Sequence, residues 1–382
     1  MERTLEKLIR IREELGSVFF ERDDVLEGSL ISLLTSNHLL LIGPPGTAKS
    51  LLANELCKRI SGGFYFQWLL TKFSTPEEIF GAISLKGLEN DEYRRVTERK
   101  LPEAHVVFLD EVFKANSSIL NALLTVMNER IFHNGKEIIK IPLMCLFGAS
   151  NELPSEEDDL DALYDRFLLR YLVDYIEEDF RFLKMLQTEV AEPSTFLTID
   201  EVNELQSLVD DVVLPPKILK LIARVRNELI KKSLILSDRR YKQVIKVLKA
   251  KALLSGRSQV DEADMDIFQH VLWKEPSEKN EIKMTLFKIL HGFREKIAEL
   301  LMQSKELEAY AFREWENEEM ALKACIEAQT KLKKISSELD VLSDELSERG
   351  KNFEKVKTAK SQVEDIQKKI LNSIVSENQE II

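Results

Sequence analysis

The hydrophobic pattern divides the chain into three zones. From Met1 to about Tyr175, short apolar runs alternate with Gly and Pro turns, the pattern of a parallel sheet with intervening helices. The predicted strands are LLLIG at 39–43, GFYFQWL at 63–69, HVVFLD at 105–110, PLMCLFGAS at 142–150 and FLLRYLV at 167–173. Each run is too short for a long helix, and unbroken apolar character fits strands covered on both faces. From about Glu177 to Lys274 the spacing turns helical. EEDFRFLKML, PPKILKLIARVRNELI, DRRYKQVIKVLKAKALLSG and DEADMDIFQHVLW carry apolar residues three and four apart, predicting a small domain of roughly four helices. Tyr241, Val244, Val247 and Leu248 share a face, and Gly256 is a C-terminal stop. After Pro276 there is no further proline and only Gly292 and Gly350 interrupt, so long helices are predicted. Leu332, Ile335, Leu339, Leu342 and Leu346 form a coiled-coil seam, resumed at Phe353, Val356, Val363, Ile366 and Ile370. That seam either folds back on itself near Gly350 or is completed by another protein.

Composition narrows the classes. At ~150 residues per domain, 382 residues predict two or three domains. With 44% hydrophobic and 31% charged residues the chain is neither disordered nor collagen-like, and its apolar runs fall short of the ~20 residues that span a bilayer. A formal charge of -12 gives no general reason to hold a phosphate backbone, so nucleic acid is disfavoured as a partner. Cys57, Cys145 and Cys325 are too scattered for a disulfide framework or thiolate zinc site, and the five histidines lack metal-ligand spacing, His105 being read as packing or capping. The opening MERTLEKLIR is charged where a secretory signal has an apolar core. These features predict a soluble protein of a reducing cytoplasm.

Two motifs carry chemistry. Gly43-Pro44-Pro45-Gly46-Thr47-Ala48-Lys49-Ser50 follows an apolar strand and precedes the helical LLANELCKRI, which begins at Leu51. Strand, tight loop and helix start are the setting in which backbone N–H groups wrap a diphosphate. Lys49 is placed to reach the β and γ phosphates of ATP, and Ser50 to coordinate Mg2+. Ala48 stands where the regular pattern has Gly, and is tolerated there if its dihedrals are ordinary helical ones. The second motif, His105 to Glu111, is a buried strand ending in two carboxylates. Asp110 is the expected magnesium ligand and Glu111 the residue that orients and polarises attacking water. Strand ends of one parallel sheet bring Lys49 and Glu111 to one crevice.

With these motifs and with TKFSTPEEIFG at 71–81, LPEAHVVFLDEVFKANSSILNALLTVMNER at 101–130, GASNELP at 148–154 and LDALYDRFLLR at 160–170, the chain resembles AAA+ ATPases of the MoxR class. Within that class it is most similar to the regulatory ATPase variant A (RavA-type) group, closely over residues 1–275 and loosely beyond. The resemblance implies an α/β AAA+ P-loop core with a three-layer parallel sheet at 1–185, a helical lid at 186–275 and a C-terminal helical hairpin or bundle at 276–382. It also implies roles for single residues. Asn151 resembles the sensor of the γ phosphate. Arg166 matches the arginine supplied across a subunit boundary, with Arg170 close enough to compete and the acidic run Glu156, Glu157, Asp158 and Asp159 as an alternative partner. Arg239, in Ser237-Asp238-Arg239-Arg240, matches the second sensor, projected from the lid onto the γ phosphate. The loop Gly43 to Leu51 and Arg239 form the implied nucleotide contacts.

His133-Asn134-Gly135-Lys136 predicts a β-hairpin with an Asn-Gly turn. In the class, this hairpin and the segment from about Ile83 to Arg99 face a ring pore, where Lys86, Tyr93, Arg94, Arg95 and Lys100 either meet a client polypeptide or are ordinary loop surface. The β-rich docking module of RavA-type proteins has no counterpart block in residues 276–382. The implied activity is hydrolysis of ATP to ADP and phosphate by a homo-oligomer, a hexamer, that remodels a client protein with a VWA-domain partner. The competing readings are a nucleotide-gated scaffold and a nucleic-acid motor.

Overall fold

The computed structural model describes residues 2–153, 160–189, 191–348 and 353–379. The acidic run at 156–159 and the turn at Gly350 lie outside them. Five parallel strands form the central sheet: β1 (His38–Ile42), β2 (Tyr65–Leu69), β3 (Val106–Asp110), β4 (Cys145–Ser150) and β5 (Phe167–Leu172). Their order is β2-β3-β4-β1-β5. All five are the strands that the apolar runs predict. All five residues of β1 are buried, since helices cover both faces, and each fully buried Leu contributes roughly 1.5–3 kcal/mol.

This order places the site. β1 and β3 are not adjacent, because β4 lies between them, so the ends of three strands open on one edge. There the chain runs from Ile42 into Gly43, from Asp110 into Glu111, and from Ser150 into Asn151. Gly43 N–H donates to Ser150 O at 3.0 Å, tying two of these exits together. The helix Asp23–Thr35 packs beside β5 closely enough that a Cβ on Gly28 would lie 2.2 Å from Tyr171 Oη.

The helical zone differs from its pattern in two places. A helix at Ile199–Asp211 falls outside the four predicted stretches; Thr198 and Glu201 form a capping box at its start, a signal present in the sequence. The DEADMDIFQHVLW stretch winds as a 3₁₀ helix, Ala263–His270. Helices Pro216–Lys231 and Asp238–Leu254 follow their patterns, and Gly256 follows the latter at φ +72°.

Contacts divide the chain into two compact units, Met1–Pro215 with Ser233–Lys283, and Pro216–Lys232 with Met284–Ile382. In the second, helices Phe293–Ala311, Glu318–Glu348 and Glu354–Gln379 share one apolar cluster. Leu332, Ile335, Leu339, Leu346, Val356, Val363, Ile366 and Ile370 are buried there beside Ile297 and Leu300, so the seam finds its partners within this unit. No described helix is long and apolar enough to cross a membrane.

Candidate nucleotide site

The loop after β1 has the backbone of an anion cradle. Gly43 (φ +154°) passes so close to β5 that a Cβ would lie 1.9 Å from Val173 O, whereas Gly46 (φ +80°) has nothing within 4 Å of its Cβ position. Ala48 departs from expectation. It adopts the left-handed φ 61°, ψ 23° and not ordinary helical angles, because the chain must reverse before the helix Lys49–Lys58 starts. The methyl group is therefore carried at a cost of about 1–2 kcal/mol. Ala48→Gly is expected to raise nucleotide-free stability by about 0.5–1 kcal/mol, after the added chain entropy of glycine is offset. Denaturant midpoints at unchanged slope would show it, and a lower midpoint would refute it.

Lys49 folds back over this loop. Its Nζ donates to Gly43 O and Pro44 O, each at 2.7 Å, and lies 3.3 Å from Thr47 Oγ1. Burial pushes its pKa below the ordinary lysine range, while Asp110 and Glu111 oppose that shift. The ammonium thus stands among carbonyls that an incoming phosphate would replace with stronger, charge-assisted bonds.

Across the crevice, Asp110 Oδ1 accepts the Glu111 N–H at 3.1 Å. Glu111 is itself left-handed, at φ 52°, ψ 45°, which holds a buried carboxylate at the end of β3. Its Oε1 accepts from Asn151 Nδ2 at 2.7 Å and its Oε2 lies 3.1 Å from Lys114 Nζ. Asn151, read from sequence against phosphate, here bonds the carboxylate. Ser50 is half-buried in the first turn after the loop and its carbonyl accepts from Tyr65 Oη at 3.2 Å.

The arginines form a separate group. Arg166 is half-buried, with Nε lacking a hydrogen-bond partner, and its pKa is lowered by burial and by the nearby Arg239. Arg239 is exposed, with Nη2 3.5 Å from Asn128 Oδ1. Among the described residues neither forms a hydrogen bond or ion pair with Lys49, Asp110 or Glu111. Arg170 is 1% exposed and donates to the carbonyls of Phe167, Trp273 and Tyr164 while stacking on the Tyr164 ring.

Residues 6–207 match the profile of the MoxR domain in the MoxR-vWA-beta-propeller ternary systems, and residues 217–286 match an AAA lid domain. This chain belongs to the MoxR family of AAA+ proteins. An uncharacterized protein of Methanocaldococcus jannaschii is 39% identical over 94% of this chain and 98% of its own length. Chaperone MoxR1 of Mycobacterium tuberculosis is 32% identical over 45% of each chain. The crystal structure of a candidate ATPase from Cytophaga hutchinsonii superposes with a TM-score of 0.61 at 20% identity, covering 75% of this chain and 94% of that one, which supports the fold.

Two features of this MoxR chain escape its motifs. Beside Gly46 and Ala48 lies a cavity of about 360 Å³ lined by Phe19, Phe20, Arg22, Tyr175 and Phe182. Its aromatic faces and single cation suit a nucleobase and its attached phosphates. Glu21 and Arg22 fasten its rim: the Glu21 carboxylate accepts the N–H groups of Glu177 and Glu178, and Arg22 donates to Asp174 O. Only the aromatic residues could have signalled this pocket, and they are dispersed over the sequence.

The hairpin and the 83–99 segment form one tied structure. Strands Ile131–Asn134 and Glu137–Lys140 leave Gly135 and Lys136 as turn residues, so Asn134 ends a strand and does not occupy the turn. Asn134 accepts the Arg95 N–H at 2.6 Å and donates to Arg95 O at 3.1 Å. Arg95 in turn donates to Glu77 and Gly81 O, and Lys100 to Glu78 O, while Tyr93, Lys86 and Arg94 are exposed.

Proposed function

We propose that this MoxR-family chain hydrolyses ATP with magnesium and works as a cytoplasmic, RavA-type, hexameric ring that remodels a client protein together with a VWA-domain partner. The convergence of Lys49, Asp110, Glu111 and Asn151 on one sheet edge carries the ATPase reading. The description of the matched family, which couples MoxR with vWA and beta-propeller components, supports the partner.

The donor set fits the metal: the Asp110 carboxylate and the Ser50 hydroxyl are hard oxygens of the type Mg2+ takes. When bound, the ion neutralises charge on the transferring phosphate. The loop N–H groups bind the phosphates and Lys49 leaves its carbonyls for them. Asn151 turns from Glu111 to the terminal phosphate or its water, freeing the carboxylate to accept the water proton. Arg166 and Arg239 lie near each other and, among the described residues, neither bonds to Lys49, Asp110 or Glu111, so both are read as reaching the nucleotide of a neighbouring copy. This revises Arg239 from an own-site contact. Arg170, with its donors spent on carbonyls, is not the trans residue in this reading.

Lys49→Ala is expected to weaken ATP binding about 100-fold or more, since each charged hydrogen bond contributes about 1.5–3 kcal/mol. Calorimetric titration tests this; unchanged affinity contradicts the site. For the function as a whole, phosphate release by the full chain is expected to require Mg2+ and to rise more steeply than linearly with protein concentration. Release that needs no Mg2+, or no release in an assembled state, would overturn it.

A further inference from the structure

Arg239 and Arg166 act as a pair only if their spacing is held, and the residue between the two segments is Arg240. Its side chain is 3% exposed and all its guanidinium nitrogens are engaged. Nη1 donates to Asp165 Oδ1 at 3.1 Å. Nη2 donates to Phe167 O at 3.2 Å and Leu168 O at 3.0 Å, and Nε to Val271 O at 2.6 Å. One planar fork therefore grips the residues on both sides of Arg166, while its own chain neighbour is Arg239.

We propose that Arg240 is a positioning residue that sets the distance between Arg166 and Arg239 and presents them as one cationic pair to the phosphates of a neighbouring copy's nucleotide. The proposal rests on the ATPase reading above. The arrangement is costly for mere cohesion. Arg170 is buried beside it and also donates to Phe167 O, and the two repel each other; Arg239 repels Arg240 as well, and among the described residues the carboxylate on Arg240 is the half-exposed Asp165. Apolar residues of like volume would fill such a space at equal or lower free energy. An aliphatic side chain, however, cannot fix three carbonyls and a carboxylate from two chain segments. Lysine cannot either, because its donors diverge from a point. Ser237 reinforces the link, capping the helix through the Arg240 N–H at 3.3 Å.

Turnover of the full chain is to be measured for Arg240→Lys and for Asp165→Ala, which removes the acceptor of one arm of the fork at a half-exposed position. Each is also combined with Arg166→Ala plus Arg239→Ala. Both single variants are expected to lower kcat about 10–100-fold with KM for MgATP nearly unchanged, as misplacement of a charge-stabilising group does. On the double-alanine background the further loss is expected to vanish, because the groups being positioned are gone. An additive loss on that background would mean that Arg240 acts through general folding, and would overturn the proposal. So would unaltered kcat in Asp165→Ala, which decides alone if Arg240→Lys does not fold. Absence of hydrolysis by the unmodified chain would overturn the ATPase reading itself, whereas an active parent with unaffected variants overturns the positioning role alone.

Discussion

Glu111→Gln is expected to bind ATP with affinity close to that of the unmodified chain and to lose hydrolysis by about 10²–10⁴-fold. The binding half follows from placement: the phosphate loop, Lys49 and Asp110 are untouched, and a side-chain amide retains an oxygen for Asn151 Nδ2. The catalytic half follows from charge. The carboxylate lies 3.1 Å from Lys114 Nζ and 2.7 Å from Asn151 Nδ2, at the end of a buried strand. A neutral amide cannot take the proton of the attacking water. Single-turnover phosphate release and a fluorescence titration separate the two effects. Hydrolysis within about threefold of the unmodified rate would remove Glu111 from the mechanism, since general-base contributions are far larger.

Arg166→Ala is expected to have the larger effect, about 10³-fold or more in kcat, the scale of an arginine that neutralises charge on a transferring phosphoryl group. Its own copy should bind nucleotide normally, because no hydrogen bond or ion pair joins Arg166 to Lys49, Asp110 or Glu111 among the described residues. The geometry also predicts modest folding consequences. Arg166 is half-buried with an Nε that lacks a partner among the described residues, and the repulsion from Arg239 outweighs the attraction of Asp165, so its removal relieves more repulsion than it forfeits attraction. Thermal midpoints should therefore stay level or rise slightly while turnover collapses. A collapse of the midpoint would mark Arg166 as a structural residue.

The five sheet strands were legible because burial on both faces leaves unbroken apolar runs, and LLLI at 39–42 is buried throughout. The placement of the loop Gly43 to Ala48 and of the Asp110-Glu111 pair at strand ends was legible for a related reason: both sit in contiguous residues next to such runs. Conformation was not. The sequence shows Ala48 where glycine is regular, but only the fold shows that the position is left-handed. Contacts between distant segments were equally hidden. The cavity beside the loop draws on residues 18–22, 46–48 and 175–185, and the fork of Arg240 joins 165–168 to 271. The closeness of Arg166 to Arg239 arises from the same long-range packing, which a family role assigned residue by residue does not show. The helix Ile199–Asp211 is a different case, since its Thr198–Glu201 capping box was present in the sequence.

The central claim is a nucleotide site completed by a second copy of the chain, and mixing tests it most directly. Glu111→Gln and Arg166→Ala chains, each strongly impaired but measurable alone, are combined at equal concentration with MgATP, and phosphate release is followed once mixed assemblies are verified by mass. A copy with intact Glu111 then meets a neighbour with intact Arg166, so the account predicts recovery of a substantial fraction of the unmodified rate. A rate in verified mixed assemblies no higher than that of either variant alone would contradict it.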